Sequence, residues 1–162
     1  MTSEIIRMKK IQKILKKEKY IKIKLKNIAT NHLELKAKIN DIKGRFILDT
    51  GASNSCVGVN LIDFFKLDAI QSDTKAAGAG AIDMETQEST NNYLKIGDWK
   101  TNDCHLVLFN LSHVNTALTQ HNAKEVHGII GADILRQGKA FIDYNKNVLY
   151  LKKTKKNKHK NS

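Results

Sequence analysis

Proline is absent from this 162-residue chain, which excludes cis-proline turns and proline-kinked helices. Cysteine is scarce: Cys56 and Cys104 allow one disulfide at most. No apolar run reaches the length of a transmembrane helix. Lysines interrupt the N-terminal residues too often for a secretory signal. The expectation is a cytoplasmic protein with two reduced thiols. Acid is also in short supply, with 16 Asp and Glu against 28 Lys and Arg and a net charge of +12. The excess sits at the two ends. Residues 1–26 hold ten Lys or Arg against two Glu, and residues 152–162 hold six Lys and no acid. Residues 27–151 are left two charges net negative. A nucleic-acid-binding body would carry a basic face of its own, so no specific nucleic-acid partner is expected.

Hydrophobic residues make up 41% of the chain and charged residues 27%, as in a globular domain large enough to bury a core. Residues 3–19 have helical periodicity, with Ile5, Met8, Ile11, Ile14 and Leu15 on one face and lysines on the other. Such a helix is expected to dock on the domain or on a partner subunit; membrane-surface attachment and a disordered extension are the alternatives. From Tyr20 the period becomes two. Short, turn-bounded strands then dominate, which predicts a mainly β fold with a closed or nearly closed, barrel-like sheet. Residues 74–82, with two glycines and four alanines, read as the most flexible stretch of the body. The predicted organisation is a basic helical extension (residues 1–19), a β domain (20–151) and a disordered lysine-rich tail (152–162).

The strongest chemical signal lies in residues 46–59. Phe46, Ile47 and Leu48 lead directly into Asp49, then a small polar loop (Thr50, Gly51, Ala52, Ser53, Asn54, Ser55), then a second apolar run. A carboxylate at the end of three large apolar residues costs desolvation unless it is partnered or used. Capping a turn is the ordinary role of such a group. A serine nucleophile fits less well, because Ser55 replaces the last glycine of a Gly-x-Ser-x-Gly elbow and an apolar run, not a helix, follows. Cys56 reads as buried packing. The six histidines have no zinc-type spacing, and Cys104 and His105 point to opposite faces of a strand. No metal or cofactor is expected.

The order of three elements narrows the choice. Asp49-Thr50-Gly51-Ala52 after an apolar strand resembles the active-site loop of the aspartic peptidases, in their retropepsin-like branch. Gly128-Ile129-Ile130-Gly131 followed by Ala132-Asp133-Ile134-Leu135 resembles the strand that passes beneath that loop and its short helix. Ala77-Gly78-Ala79-Gly80-Ala81 stands where the family has its flap tip over substrate. The resemblance implies an acid-protease fold with a flap hairpin, and an aspartic endopeptidase that needs no cofactor. In such enzymes two carboxylates share one proton, so that one polarises the scissile carbonyl and the other activates water. This chain has a single Asp-Thr-Gly, and Asp133, flanked by Gly-Ala and Ile-Leu, suits a helix start better. The resemblance therefore implies a homodimer in which each subunit gives one Asp49, supported by Thr50 and Gly51, acting on a peptide or protein substrate. Two departures are visible. The flap segment lacks an aromatic residue, and Ala52 replaces a serine, which implies activity reaching toward weakly acidic or neutral pH. Two other functions stay open: an inactive dimer of the same fold that binds peptides, and a polyanion-binding adaptor acting through the lysine-rich ends.

Overall fold

The computed structural model describes residues 1–78 and 81–154, with side chains throughout except at 73–84. Among the described residues, eleven strands and three α-helices follow in the order α1 (Ser3–Lys17), β1 (Tyr20–Lys24), β2 (Lys26–Asn27), β3 (Leu33–Ile39), β4 (Ile42–Leu48), β5 (Cys56–Gly58), β6 (Ile70–Gly78), β7 (Ala81–Ile96), β8 (Trp99–Phe109), α2 (Ser112–Gln120), β9 (Gly128–Ile130), α3 (Ala132–Gln137), β10 (Phe141–Asp143) and β11 (Val148–Lys152). The main sheet has the order β2-β3-β4-β9-β5-β8-β7-β6, and β3 also pairs with β7. That extra pairing closes β3, β4, β9, β5, β8 and β7 into a six-stranded barrel. Closure runs through only two residue pairs, Lys38 with Lys95 and Ile39 with Leu94. The remaining strands form a separate sheet, β1-β11-β10.

Alternation decides which side chains fill the barrel. Leu35, Ile39 and Phe46 point inward and are at most 1% exposed, as are Leu94, Ile96, Trp99, Leu106 and Leu108. Each such side chain contributes roughly 1.5–3 kcal/mol on burial. The Trp99 indole N–H donates to the Lys152 carbonyl at 3.0 Å, joining the barrel to β11. β11 thus runs one residue into the stretch expected as tail, and the Lys153 N–H still donates to the Lys19 carbonyl. Strand pairing outweighs the lysine-rich composition there. A buried polar knot sits where β7 bulges near Asn92. The Asn92 amide donates to Ser89 Oγ and accepts from the Asn40 amide.

Helix α1 docks by a narrower seam than its sequence suggests. Met8, Gln12 and Leu15 are half-buried, whereas Ile5, Ile11 and Ile14 remain 46%, 48% and 61% exposed. Spacings of i, i+4 and i+7 are what a flat sheet can touch; Ile5 and Ile11 fall on the flanks of that seam and Ile14 beyond it. Beneath the helix, Gln12 meets the Tyr150 hydroxyl. Burial first, and then the Asp143 carboxylate, push the Tyr150 phenol up, while Gln12 lowers it. No pair among Gln12 Nε2, Tyr150 Oη and Asp143 Oδ2 closes a hydrogen bond of good geometry.

The outer barrel face divides in two. One half is apolar: Ile47 and Ile129 lie under α2, packed with Val114, Leu118 and Val126. The other half is cationic, which the charge count of residues 27–151 concealed. Lys36 and Lys38 on β3, Lys43 and Arg45 on β4 and Lys95 on β7 surround one cavity of about 500 Å³.

Candidate active site

Strand β4 enters the barrel between β3 and β9, and its parallel partners are Phe46 with Gly128, Ile47 with Ile129 and Leu48 with Ile130. The ladder ends when the Asp49 N–H donates to the Ile130 carbonyl at 3.0 Å. The chain then turns sharply. The Asp49 carboxylate accepts the Gly51 N–H through Oδ1 at 2.9 Å, and the Asp49 carbonyl accepts the Ala52 N–H at 3.3 Å. The turn-capping role expected of a lone Asp is thus present. It uses only one carboxylate oxygen and leaves the side chain exposed at the loop tip.

Two glycines let β9 and its helix approach this loop. A Cβ on Gly131 would stand 2.6 Å from the Ala52 carbonyl oxygen and 3.0 Å from that of Asn54. A Cβ on Gly128 would collide with the Cys56 carbonyl oxygen. With both hydrogens in place the backbones meet directly, and the Ala132 N–H donates to the Ala52 carbonyl at 2.7 Å.

The loop's far end is held by Ser55, which in sequence stands only where a nucleophile elbow would have its last glycine. Ser55 is fully buried. Its hydroxyl accepts the Gly131 N–H at 2.9 Å and donates to Asp133 Oδ1 at 2.7 Å. Asp133 Oδ2 accepts the Ser55 N–H at 3.0 Å. Asp133 does sit at a helix start, in the first turn of α3, but its carboxylate serves the loop as well as the Ile134 N–H. The one available signal was a hydroxyl between a polar loop and an apolar strand, which reveals nothing of a partner 78 residues away.

Asp49 opens on a cleft of about 590 Å³ between the residues 29–32 segment, α2 and the barrel wall. Its floor is apolar, with Ile47, Ile129, Val114 and Leu118, and His32, His113 and His121 also line it. Ile129, expected only as part of the strand beneath the loop, thus faces this cleft, while Ile130 is fully buried on the core side. Thr50 and Gly51 are exposed beside Asp49, and Ala52 is half-buried against Gly131. β6 and β7 form a hairpin whose last described pair is Gly78 with Ala81, and Ala77 belongs to its β6 arm. The expected flap-tip residues Ala79 and Gly80 lie outside the described residues.

Other chemistries find less support. Cys56 and Cys104 are unpaired and buried, and burial pushes both thiols up to about 12. A thiol held protonated is a poor nucleophile. Among the described residues, no cluster of His, Cys, Asp and Glu is placed to hold a metal ion, and no helix is long and apolar enough to cross a membrane.

The description "Aspartyl protease" matches residues 35–134, and the chain belongs to that family. It is similar in structure to a retropepsin-like aspartic protease from Rickettsia conorii, with a TM-score of 0.56 at 20% identity over 82% of this chain and 90% of that one. It is also similar to the EIAV protease complexed with the inhibitor HBY-793, with a TM-score of 0.51 at 21% identity over 69% of this chain and 92% of that one. The retroviral protease-like domain of Ddi1 from Leishmania major gives a TM-score of 0.50 at 16% identity over 74% of this chain and 89% of that one. No curated protein matches the chain. The fold is retropepsin-like.

Proposed function

We propose that the chain is an aspartic endopeptidase whose active site forms when two copies bring their Asp49 carboxylates together on a two-fold axis. The observation that carries this reading is the combination at the end of β4. A carboxylate is fixed by the Gly51 N–H through one oxygen, held on a loop anchored at both ends, and exposed at the mouth of a cleft large enough for a peptide side chain. Two like charges at close range cannot both ionise easily, so the pair holds one proton. The protonated partner polarises the scissile carbonyl and the other takes a proton from the attacking water. Thr50 and Gly51, exposed at the tip, are the residues that would face the second subunit. The apolar floor of the cleft suits a large apolar side chain next to the scissile bond, and the β6–β7 hairpin would close over it. The two buried, unpaired thiols fit a reducing, cytoplasmic compartment.

The test compares the wild type with Asp49→Asn on a denatured protein mixture, alongside a measurement of molecular mass. The expected result is a dimer in both proteins and at least about a hundredfold loss of cleavage in the variant, within the range of a lost general acid–base group. Equal cleavage by the two, or none from a folded, dimeric wild type, would refute the assignment.

A further inference from the structure

Strands β3, β4 and β7 gather positive charge on one face of the barrel. Lys36, Lys38, Lys43 and Arg45 come from the β3–β4 hairpin and Lys95 from the distant β7, and all five line the 500 Å³ cavity on the outer barrel face. They are five of the twelve Lys and Arg residues of residues 27–151. Register makes the crowding close. Lys38 stands directly opposite Lys43 on one side and Lys95 on the other, and Lys36 stands opposite Arg45. Directly opposed side chains have their Cβ atoms about 4.5–5.5 Å apart, where like charges destabilise a sheet. The Lys38–Lys95 pair even falls on one of the two residue pairs that close the barrel.

Little in the chain relieves this. Arg45 is committed elsewhere: its guanidinium donates to the Glu125 carbonyl at 2.7 Å and lies 3.8 Å from the Glu34 carboxylate. Among the described residues, none of the four lysines is in an ion pair. Lys26 and Lys124 extend the charge into an adjoining cleft that shares Lys36 and Arg45. No residue lines both the cationic cavity and the cleft at Asp49. A cluster that costs the fold stability and is left unpaired calls for a ligand that neutralises it.

We propose that this face is a docking surface for an acidic stretch of polypeptide. The chemistry of the lining favours carboxylates over nucleic acid. Base-stacking platforms need exposed aromatic rings, and His127 is the only ring lining the cavity, itself stacked on Phe64 with centroids 5.6 Å apart. Bidentate phosphate recognition needs a free arginine fork, and the one arginine here is already engaged. What remains is four flexible point charges around a recess, a tolerant match for Asp and Glu side chains. The surface stands independently of the peptidase reading, because it uses no residue of the Asp49 cleft.

The test is fluorescence anisotropy of a fluorescein-labelled poly-glutamate peptide titrated with the full-length Asp49→Asn chain, which separates docking from turnover. Saturable binding that weakens with salt is expected. The combined variant Lys36→Gln, Lys38→Gln, Lys43→Gln and Lys95→Gln is expected to bind at least about tenfold more weakly, four exposed pairs being lost. A charge-matched control, Lys9→Gln, Lys10→Gln, Lys13→Gln and Lys17→Gln on α1, is expected to change affinity by less than about twofold. The face variant should also melt no lower than its parent, since it removes repulsion across the sheet. Equal losses in both variants, unchanged binding in the face variant, or a lower melting temperature would overturn the proposal. So would a labelled single-stranded RNA that binds this face more tightly than the peptide.

Discussion

Replacing Ser55 with alanine removes a single hydroxyl from a fully buried position, and the structure sets the size of the effect. The Gly131 N–H loses its 2.9 Å acceptor, and a buried donor left unsatisfied costs about 1–3 kcal/mol. Asp133 loses the 2.7 Å O–H donor but keeps the Ser55 and Ile134 N–H groups. The loss of that charge-assisted bond, worth about 1.5–3 kcal/mol when intact, is therefore partly offset. Together these predict a destabilisation of about 2–4 kcal/mol, a large share of the roughly 5–15 kcal/mol that holds a domain together. Urea unfolding followed by circular dichroism should show a lower midpoint at unchanged slope. Asp133→Asn should overlap with it, so that the double variant loses less than the sum of the two single ones by at least about 0.5 kcal/mol. Ser55→Thr, which keeps a hydroxyl, should recover most of the loss. A Ser55→Ala cost below about 0.5 kcal/mol, or strict additivity with Asp133→Asn, would refute the idea that this network anchors the Asp49 loop.

Two further outcomes follow from the same geometry. Gly128→Ala places a Cβ on the Cys56 carbonyl oxygen, which cannot yield without breaking the β5–β9 pairing. A loss of more than about 4 kcal/mol, or failure to fold, is expected, and a near-native urea midpoint would count against the close approach. His127 governs a pH response. Burial first, and then the positive charge of Arg45, lower its pKa, and its Nδ1 accepts the Arg45 N–H at 3.0 Å, so the fold favours the neutral ring. Its contribution to stability is fully present above the unfolded value of about 6.5 and is lost as pH falls through the lower folded value. His127→Gln, which offers an acceptor without a titrating charge, should lose less stability than the wild type between neutral and mildly acidic pH. Identical pH dependence in the two proteins would dismiss this role.

The features that sequence revealed are those carried by neighbours in the chain. Strand alternation, the Asp49 turn and the Gly128–Gly131 segment are each written within a few residues, and together with their order they implied the barrel and the loop. Features built by register stayed hidden. Ser55 and Asp133 are 78 positions apart, and nothing local marks them as partners. The cationic face was obscured for a related reason. A net charge of residues 27–151 sums over every direction, while the pleat sends Lys36, Lys38, Lys43, Arg45 and Lys95 to one side. The α1 helix shows the opposite error, because five apolar residues looked like one face when only a three-residue seam touches the sheet.

The insertion of β9 between β4, to which it is parallel, and β5, to which it is antiparallel, also constrains the order in which the protein can be made. Asp49 is synthesised well before the residues that anchor its loop to the strand beneath it, Ile130, Gly131, Ala132 and Asp133. A nascent chain lacking these residues has the motif without the support, with β4 and β5 both missing the neighbour that separates them. Long-range pairing of this kind is slow because the intervening loop must close before any contact repays it. The consequence is a built-in delay: synthesis must pass Asp133 before the Asp49 loop can be held in place, and the strand edges of the half-made barrel stay exposed until then.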